Sequence, residues 1–547
     1  MRDHPALALL LCLCLGCGEG GRRAGPDALA AQRTLYALAP TDARGAFTVA
    51  RIEDLVERLR ALDGALAKRP TLAPLARDAR SALRERLGFD PLEGGAFTAR
   101  GIDPGGALAI FWRTDGVTVA AVVRDRSAFE QAFAKAPAVA GPAAECTRLG
   151  ELLRCSRPAA GPPSGALESE VEALAPGDAR AVDVSLTIRG QAPLWLAAAL
   201  PEGAVDLRAR MGTLDTPLHA LRAEAGPGDA LELLPDAAAI VACRVKPSAL
   251  WARLWPDKPA VRRTVEGALQ LATGLDPERD LLPLWTGRVA AGSTQAGAAA
   301  LLLETNDRTK TARLVASLQD LLEGAVRGLR RSAGLPGLSA HREEVAGLPV
   351  LRAELRQHAG EKVPTMVAYL AAVPRGILVS TDAATIAASA SASPPTARTG
   401  PRVAGLVKRP APLIGWALVD DPLGRAATRE DAERALASLP ARGLLTASRA
   451  RDVVALLRPA RELAFVIDAT ETGVEARVVV GLEQGDLGSS RAALGPLTLA
   501  LAAAPYGARL LTALEHGQDL EQAVHIALAG HEAPPRATKR KKRTRRR

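Results

Sequence analysis

Two stretches of this 547-residue chain read alike in order and spacing, and that echo constrains its fold more than any other feature. The first opens at Pro40-Thr41-Asp42-Ala43 and passes through the apolar run Ala46–Ala50 to Arg51-Ile52. The second opens at Pro235-Asp236-Ala237 and passes through Ala239–Cys243 to Arg244-Val245. Helical spacing follows each run. Ile52, Leu55, Val56, Leu59 and Leu62 fall on one face, as do Val261, Val265, Ala268, Leu269 and Ala272. Each helical region then meets a glycine suited to a left-handed cap, Gly88 before Phe89-Asp90-Pro91 and Gly274 before Leu275-Asp276-Pro277.

A hairpin pattern comes next in both. Gly106–Trp112 and Val117–Val123 flank Thr114-Asp115-Gly116, while Gly287–Gly292 and Ala298–Leu303 flank Gly297. Capping residues at Asp125-Arg126-Ser127 and Asp307-Arg308-Thr309 precede helices expected over Ala128–Ala134 and Lys310–Leu322. A second hairpin ends in Leu153-Arg154-Cys155 in one copy and Leu351-Arg352-Ala353 in the other, so that Cys155 corresponds to Ala353. Late antiparallel pairs are expected at Ala181–Ile188 with Ala204–Met211 and at Leu463–Ala469 with Gly473–Val480. Strands in hairpins with helices between them predict the α+β class: two tandem related modules of antiparallel sheet with hairpins and flanking helices, not a doubly wound parallel sheet. A period of roughly 190 residues means tandem domains, not a solenoid.

The expected organisation is a leader over 1–16, a linker over 17–35, a first module over 36–223, a second with insertions over 230–533, and a tail over 534–547. Ala225–Asp229 reads as the joint between modules, and Arg157–Gly165 and Ser389–Gly400 read as loops. Aromatic residues make up only 3% of the chain, so Ala, Leu and Val must fill the cores and few rings remain to stack on bases or sugars. The net charge is +10, but the segment from Arg536 to Arg547 carries nine Lys and Arg and no acid, which leaves +1 for everything before it. The basic character thus belongs to the tail, and it is separated by Pro534-Pro535 and expected to stay disordered.

At the N-terminus, Arg2 precedes the apolar run Ala6–Gly16. That run is the length of a signal-peptide core and shorter than the roughly 20 residues needed to span a bilayer. It ends in Cys14-Leu15-Gly16-Cys17, followed by the small residues Gly18–Gly21. This ending resembles the lipobox of bacterial lipoprotein precursors, Leu-x-(Gly/Ala/Ser)-Cys, with Cys14 standing where Leu is usual. The resemblance implies cleavage before Cys17, acylation of Cys17 and attachment to a membrane through its acyl chains. Gly18 in place of Asp implies forwarding to the outer membrane of the cell envelope, facing the periplasm. An ordinary secretory signal cut at another small residue is the alternative.

Of the six cysteines, Cys12 and Cys14 lie in the leader and Cys17 takes lipid. If Gly150-Glu151 forms a two-residue hairpin loop, Leu149 faces Leu152 and Cys146 faces Cys155, a geometry that admits a cross-strand disulfide. Cys243 sits in an apolar run and reads as a small core residue.

The sequence has no Walker loop, no His-Glu-x-x-His, no paired Cys-x-x-Cys and no EF-hand pattern. No cofactor or metal is expected. Gly337-Leu338-Ser339-Ala340-His341 is the nearest approach to a nucleophile elbow, but His341 replaces the second glycine and Pro336 makes the approach a loop. Asp42, Asp90, Asp103 and Asp276 recur near proline and read as turn or cap devices. The sequence therefore points to an exported, lipid-anchored, non-enzymatic envelope protein of unknown ligand. Two alternatives stand beside it. One is a hydrolase using Ser339 and His341 or a carboxylate pair. The other is a polyanion binder acting through Lys539, Arg540, Lys541, Lys542, Arg543, Arg545, Arg546 and Arg547; for this tail an anionic envelope surface ranks first, a solvated tail with no fixed partner second, and nucleic acid last, because export disfavours it and no aromatic is interleaved.

Overall fold

The computed structural model describes residues 35–482 apart from 69, 72, 114–115, 136–143, 175–183, 190–192, 200–203, 213–231, 255–258, 333–336, 357–365, 392–400, 408–412, 419–459 and 471–472. The lipobox, the basic tail and the joint at Ala225–Asp229 lie outside these residues. The described chain is mostly β, with eighteen strands in one antiparallel sheet.

The strands are β1 (Gly45–Val49), β2 (Leu108–Trp112), β3 (Val117–Val122), β4 (Glu145–Leu149), β5 (Leu152–Arg157), β6 (Val184–Ile188), β7 (Leu194–Ala199), β8 (Ala204–Gly212) and β9 (Ala237–Arg244). They continue as β10 (Trp285–Thr294), β11 (Ala299–Thr305), β12 (Leu338–Val345), β13 (Leu348–Leu355), β14 (Met366–Val373), β15 (Gly376–Ser380), β16 (Leu413–Leu418), β17 (Ala460–Thr470) and β18 (Gly473–Leu482). Their pairings place them side by side as β4-β5-β3-β2-β1-β6-β7-β8-β18-β17-β16-β9-β10-β11-β15-β14-β13-β12. The early and late parts of the chain thus share one sheet, joined where β8 meets β18.

The helices are α1 (Ile52–Ala67), α2 (Ala73–Leu87), α3 (Arg126–Lys135), α4 (Ala166–Leu174), α5 (Pro247–Leu254), α6 (Pro259–Thr273), α7 (Arg308–Ser332), α8 (Ala383–Ser389) and α9 (Pro401–Val407). Local chemistry fixes their ends. Gly88 and Gly274 both adopt positive φ, and their N–H groups donate to the carbonyls of Arg84 and Gln270, closing the last turns of α2 and α6. Asp125 and Asp307 accept from the N–H groups of Ala128 and Lys310, which caps α3 and α7. The helix expected over Lys310–Leu322 runs on to Ser332, because no proline or cap interrupts its apolar stripe.

Side chains alternate between the two faces of the sheet. On one face of the first half, Phe47, Val49, Leu108, Ala121, Leu153 and Leu186 are buried with α1, Ala76 of α2 and the phenylalanines of α3. On the opposite face, Ala46, Ala109, Phe111, Trp195 and Ala197 pack with Leu35, Tyr36 and α4. The latter face continues into the second half, where Ile240, Ala242, Leu302, Leu378, Ile414 and Trp416 lie under α8 and α9. Burying a large apolar side chain contributes about 1.5–3 kcal/mol, so these layers are the main stabilising term.

Three expectations need correction. Ala181–Ile188 does not pair with Ala204–Met211, because β7 forms between them and bonds to both β6 and β8. Leu351–Ala353 lies on β13, remote from β11; the strand that pairs with β11, as β5 pairs with β3, is β15. The α6 helix forms as the spacing dictates, yet its stripe does not enter the core: Val261 is 46% exposed, whereas Ile52 of α1 is fully buried. Cys243 is half-buried, and burial pushes its thiol up, against the hydrogen bond from the Val289 backbone. A raised thiol suits a packing residue more than a nucleophile.

Candidate functional site

The Cys146–Cys155 pair is joined as a disulfide, with Cα atoms 4.1 Å apart. The β4–β5 hairpin brings this about, since Leu149 pairs with Leu152 and Cys146 with Cys155 around a Gly150 at positive φ. A two-residue loop fixes that register.

A largely buried charge cluster forms where β8 meets β18. Asp206 is buried and accepts a two-pronged hydrogen bond from Arg477, Nε to Oδ1 at 2.9 Å and Nη2 to Oδ2 at 2.7 Å. Nη2 of Arg208 reaches the same carboxylate at 2.7 Å. Arg208 stands directly opposite Arg477, a like-charged pairing that costs energy unless each guanidinium is compensated. Burial pushes the Asp206 carboxyl up, but the Arg477 and Arg208 hydrogen bonds outweigh it and hold the group below the usual carboxylate range. Arg210 and Glu475 make a second pair across the same seam at 3.1 Å. The cluster sets two carboxylates against three guanidiniums and joins the sheet halves. The sequence reading passed over these charges, although a signal existed: Val205-Asp206-Leu207-Arg208 and Val474-Glu475-Ala476-Arg477 share a Val-acid-x-Arg pattern.

A cavity of about 260 Å³ opens between α1 and the 93–104 segment. Ile52, Val56 and Phe97 give it an apolar wall, and Glu53, Glu57 and Glu93 a polar one. Arg60 also lines it, with its donors committed to the backbone carbonyls of Leu92 and Glu93 at 2.7 and 3.0 Å. The polar wall would suit a small cation or a hydrogen-bond donor, and the lining contains no serine, cysteine or histidine.

Ser339 and His341 lie within β12, where the elbow-like loop was expected. They face Glu354 and Arg352 of β13, and His341 Nε2 lies 3.7 Å from Glu343. Burial opposes the charge on Glu354, but the Arg356 hydrogen bond and the charge of Arg352 overcome it and hold the carboxyl below its usual range. Such a carboxylate is a weak base. The other candidate carboxylates are engaged locally. Asp90 accepts from the Leu92 N–H and Arg80, Asp103 from the Gly105 N–H, Asp276 from the Arg279 N–H, and Asp42 from Arg113. Among the described residues, no group of three or more His, Cys, Asp or Glu is placed to hold a metal. Cys17 and Lys539–Arg547 lie outside the described residues. No known protein family, no curated protein and no solved structure matches the chain.

Proposed function

We propose that this chain is an exported cell-envelope protein, tethered to the membrane through acyl chains on Cys17, with a non-enzymatic binding or structural role. The observation that carries the reading is the Cys146–Cys155 disulfide, a bond that persists in oxidising compartments and is rare in the cytosol. It agrees with the leader and the lipobox-like ending at Gly16-Cys17. The test is the intact mass of the protein extracted from membranes. The expected species begins at Cys17, carries acyl chains and has Cys146 and Cys155 oxidised. A cytoplasmic product that keeps residues 1–16 and has reduced thiols would refute the reading.

The body reads as two related α+β halves within the shared sheet. Support comes from strand order: from the β8–β18 seam outward, β7, β6, β1, β2, β3 and β5 run in one direction, and β17, β16, β9, β10, β11 and β15 in the other. Each half places one helical pair after its first strand and one helix after its third. The β12–β13 hairpin is then an addition of the second half.

A further inference from the structure

The two halves differ in how one face of the sheet is covered. In the first half, the row Val49, Leu108, Ala121 and Leu153 is no more than 7% exposed beneath α1 and its neighbours. In the second, Val241 and Leu301 lie in one cross-strand row, with Ala291 between them, and are 45% and 46% exposed. Of the two helices that follow β9, α5 touches β10, whereas α6 packs mainly against α7 and the Pro277–Leu281 turn. All the large hydrophobic residues that are strongly exposed, among those described, fall between Val241 and Met366.

Two helices carry most of them. On α6, Val261 is 46% and Leu271 is 91% exposed. On α7, Thr311, Leu314 and Val315 are buried against the sheet, but the same stripe continues through Leu321, Leu322 and Leu329, which are 46%, 43% and 47% exposed. These two helices separate apolar from polar residues more sharply than α1 to α5 do, and a stripe of that kind is normally buried against something.

Charge indicates what that is. The two helices hold eight Lys and Arg against three Asp and Glu, in a chain whose net charge before the basic tail is only +1. The three acids are already engaged: Glu266 with Arg262, Asp320 with Arg342, and Glu323 with Arg342 and Arg327. Arg308, Lys310 and Arg313 are exposed and make no ion pair among the described residues. A second copy docked on this surface would bring cations against cations. An anionic bilayer meets both requirements, since it accepts the leucines at the acyl boundary and attracts the arginines to its phosphates.

We propose that α6 and α7 form a membrane-docking surface that lies on anionic phospholipid. The proposal takes its setting from the lipid-anchor reading, but its test does not depend on acylation. The unacylated chain 18–547 and a form ending at Ala533, which removes the basic tail, are mixed with phosphatidylcholine vesicles that either lack phosphatidylglycerol or contain about a third of it. Cosedimentation is measured, with solution mass by analytical ultracentrifugation. The tail-less chain is expected to bind the anionic vesicles and not the neutral ones. Leu271→Glu/Leu321→Glu/Leu329→Glu in that chain should lower partitioning at least tenfold, with circular dichroism unchanged because all three side chains are solvent-facing. Absence of binding by the tail-less chain, equal binding by the triple variant, or a dimer that the triple variant dissolves without any vesicle binding would each overturn the proposal. Failure of the anchor itself shows separately, in the mass at Cys17.

Discussion

Asp206 offers the sharpest test of how the sheet halves are held together. Its carboxylate receives three short hydrogen bonds from two arginines whose side chains are themselves 11% and 28% exposed. Removing one partner of such a buried network leaves its cations uncompensated, which costs about 3–5 kcal/mol when burial is complete. Arg477 retains some water, so about 3 kcal/mol is expected for Asp206→Ala. Arg477→Met alone should cost about 2 kcal/mol, since Arg208 still serves the carboxylate. Because both substitutions remove the same interaction, the double variant should fall short of their sum by about 1.5–2 kcal/mol. The assay is urea unfolding followed by tryptophan fluorescence. Trp195 and Trp416 are good reporters, since both are buried and Trp195 pairs directly with Arg210 of β8. Acid provides an independent check. A carboxyl depressed in the folded state contributes stability that is full above its unfolded value, about 3.9, and is lost as pH falls through the lower folded value. The acid destabilisation between pH 4 and the folded value should therefore be smaller in Asp206→Asn than in the wild type. Additive single-variant costs, within about 0.5 kcal/mol, together with identical acid profiles would refute this account.

Further outcomes follow from the same packing. Cys155→Ser opens the β4–β5 loop and should cost about 2–3 kcal/mol in urea unfolding, and it should expose Cys146 to alkylation; an unchanged midpoint would show that the disulfide constrains nothing. Gly415 faces Phe465 across β16 and β17, and a Cβ there would overlap the Phe465 ring. Gly415→Ala should therefore cost about 1–3 kcal/mol, and Phe465→Leu in the same chain should recover part of it, whereas a neutral Gly415→Ala would show that the ring is free to move. Leu153→Ala, at a fully buried site on β5, should cost about 2–5 kcal/mol by leaving a cavity beneath α1 and α3.

Much of the local structure was legible in the residues. The Gly88 and Gly274 caps, the Asp125 and Asp307 caps and the Gly150 turn each depend on neighbours a few positions away, so the sequence carried them directly. The Cys146–Cys155 pairing was legible for the same reason, because a two-residue loop leaves only one register. The charged seam was not. Asp206 and Arg477 are 271 positions apart, and no local rule brings a carboxylate in β8 to a guanidinium in β18. The insertion of β7 between the expected late strands was missed because Leu194–Ala199 is a short apolar run without alternation, which periodicity cannot tell from a buried helix segment.

By itself the sequence determined the local devices, namely the Gly88 and Gly274 helix ends, the Asp125 and Asp307 caps and the β4–β5 hairpin, since turn chemistry and side-chain period act over a few residues. Only the tertiary structure decided that the two halves share one sheet and that α1 is buried while α6 is left exposed. Those outcomes depend on which strand edges meet and on how much sheet remains for each helix to cover, and both are set by contacts between residues hundreds of positions apart.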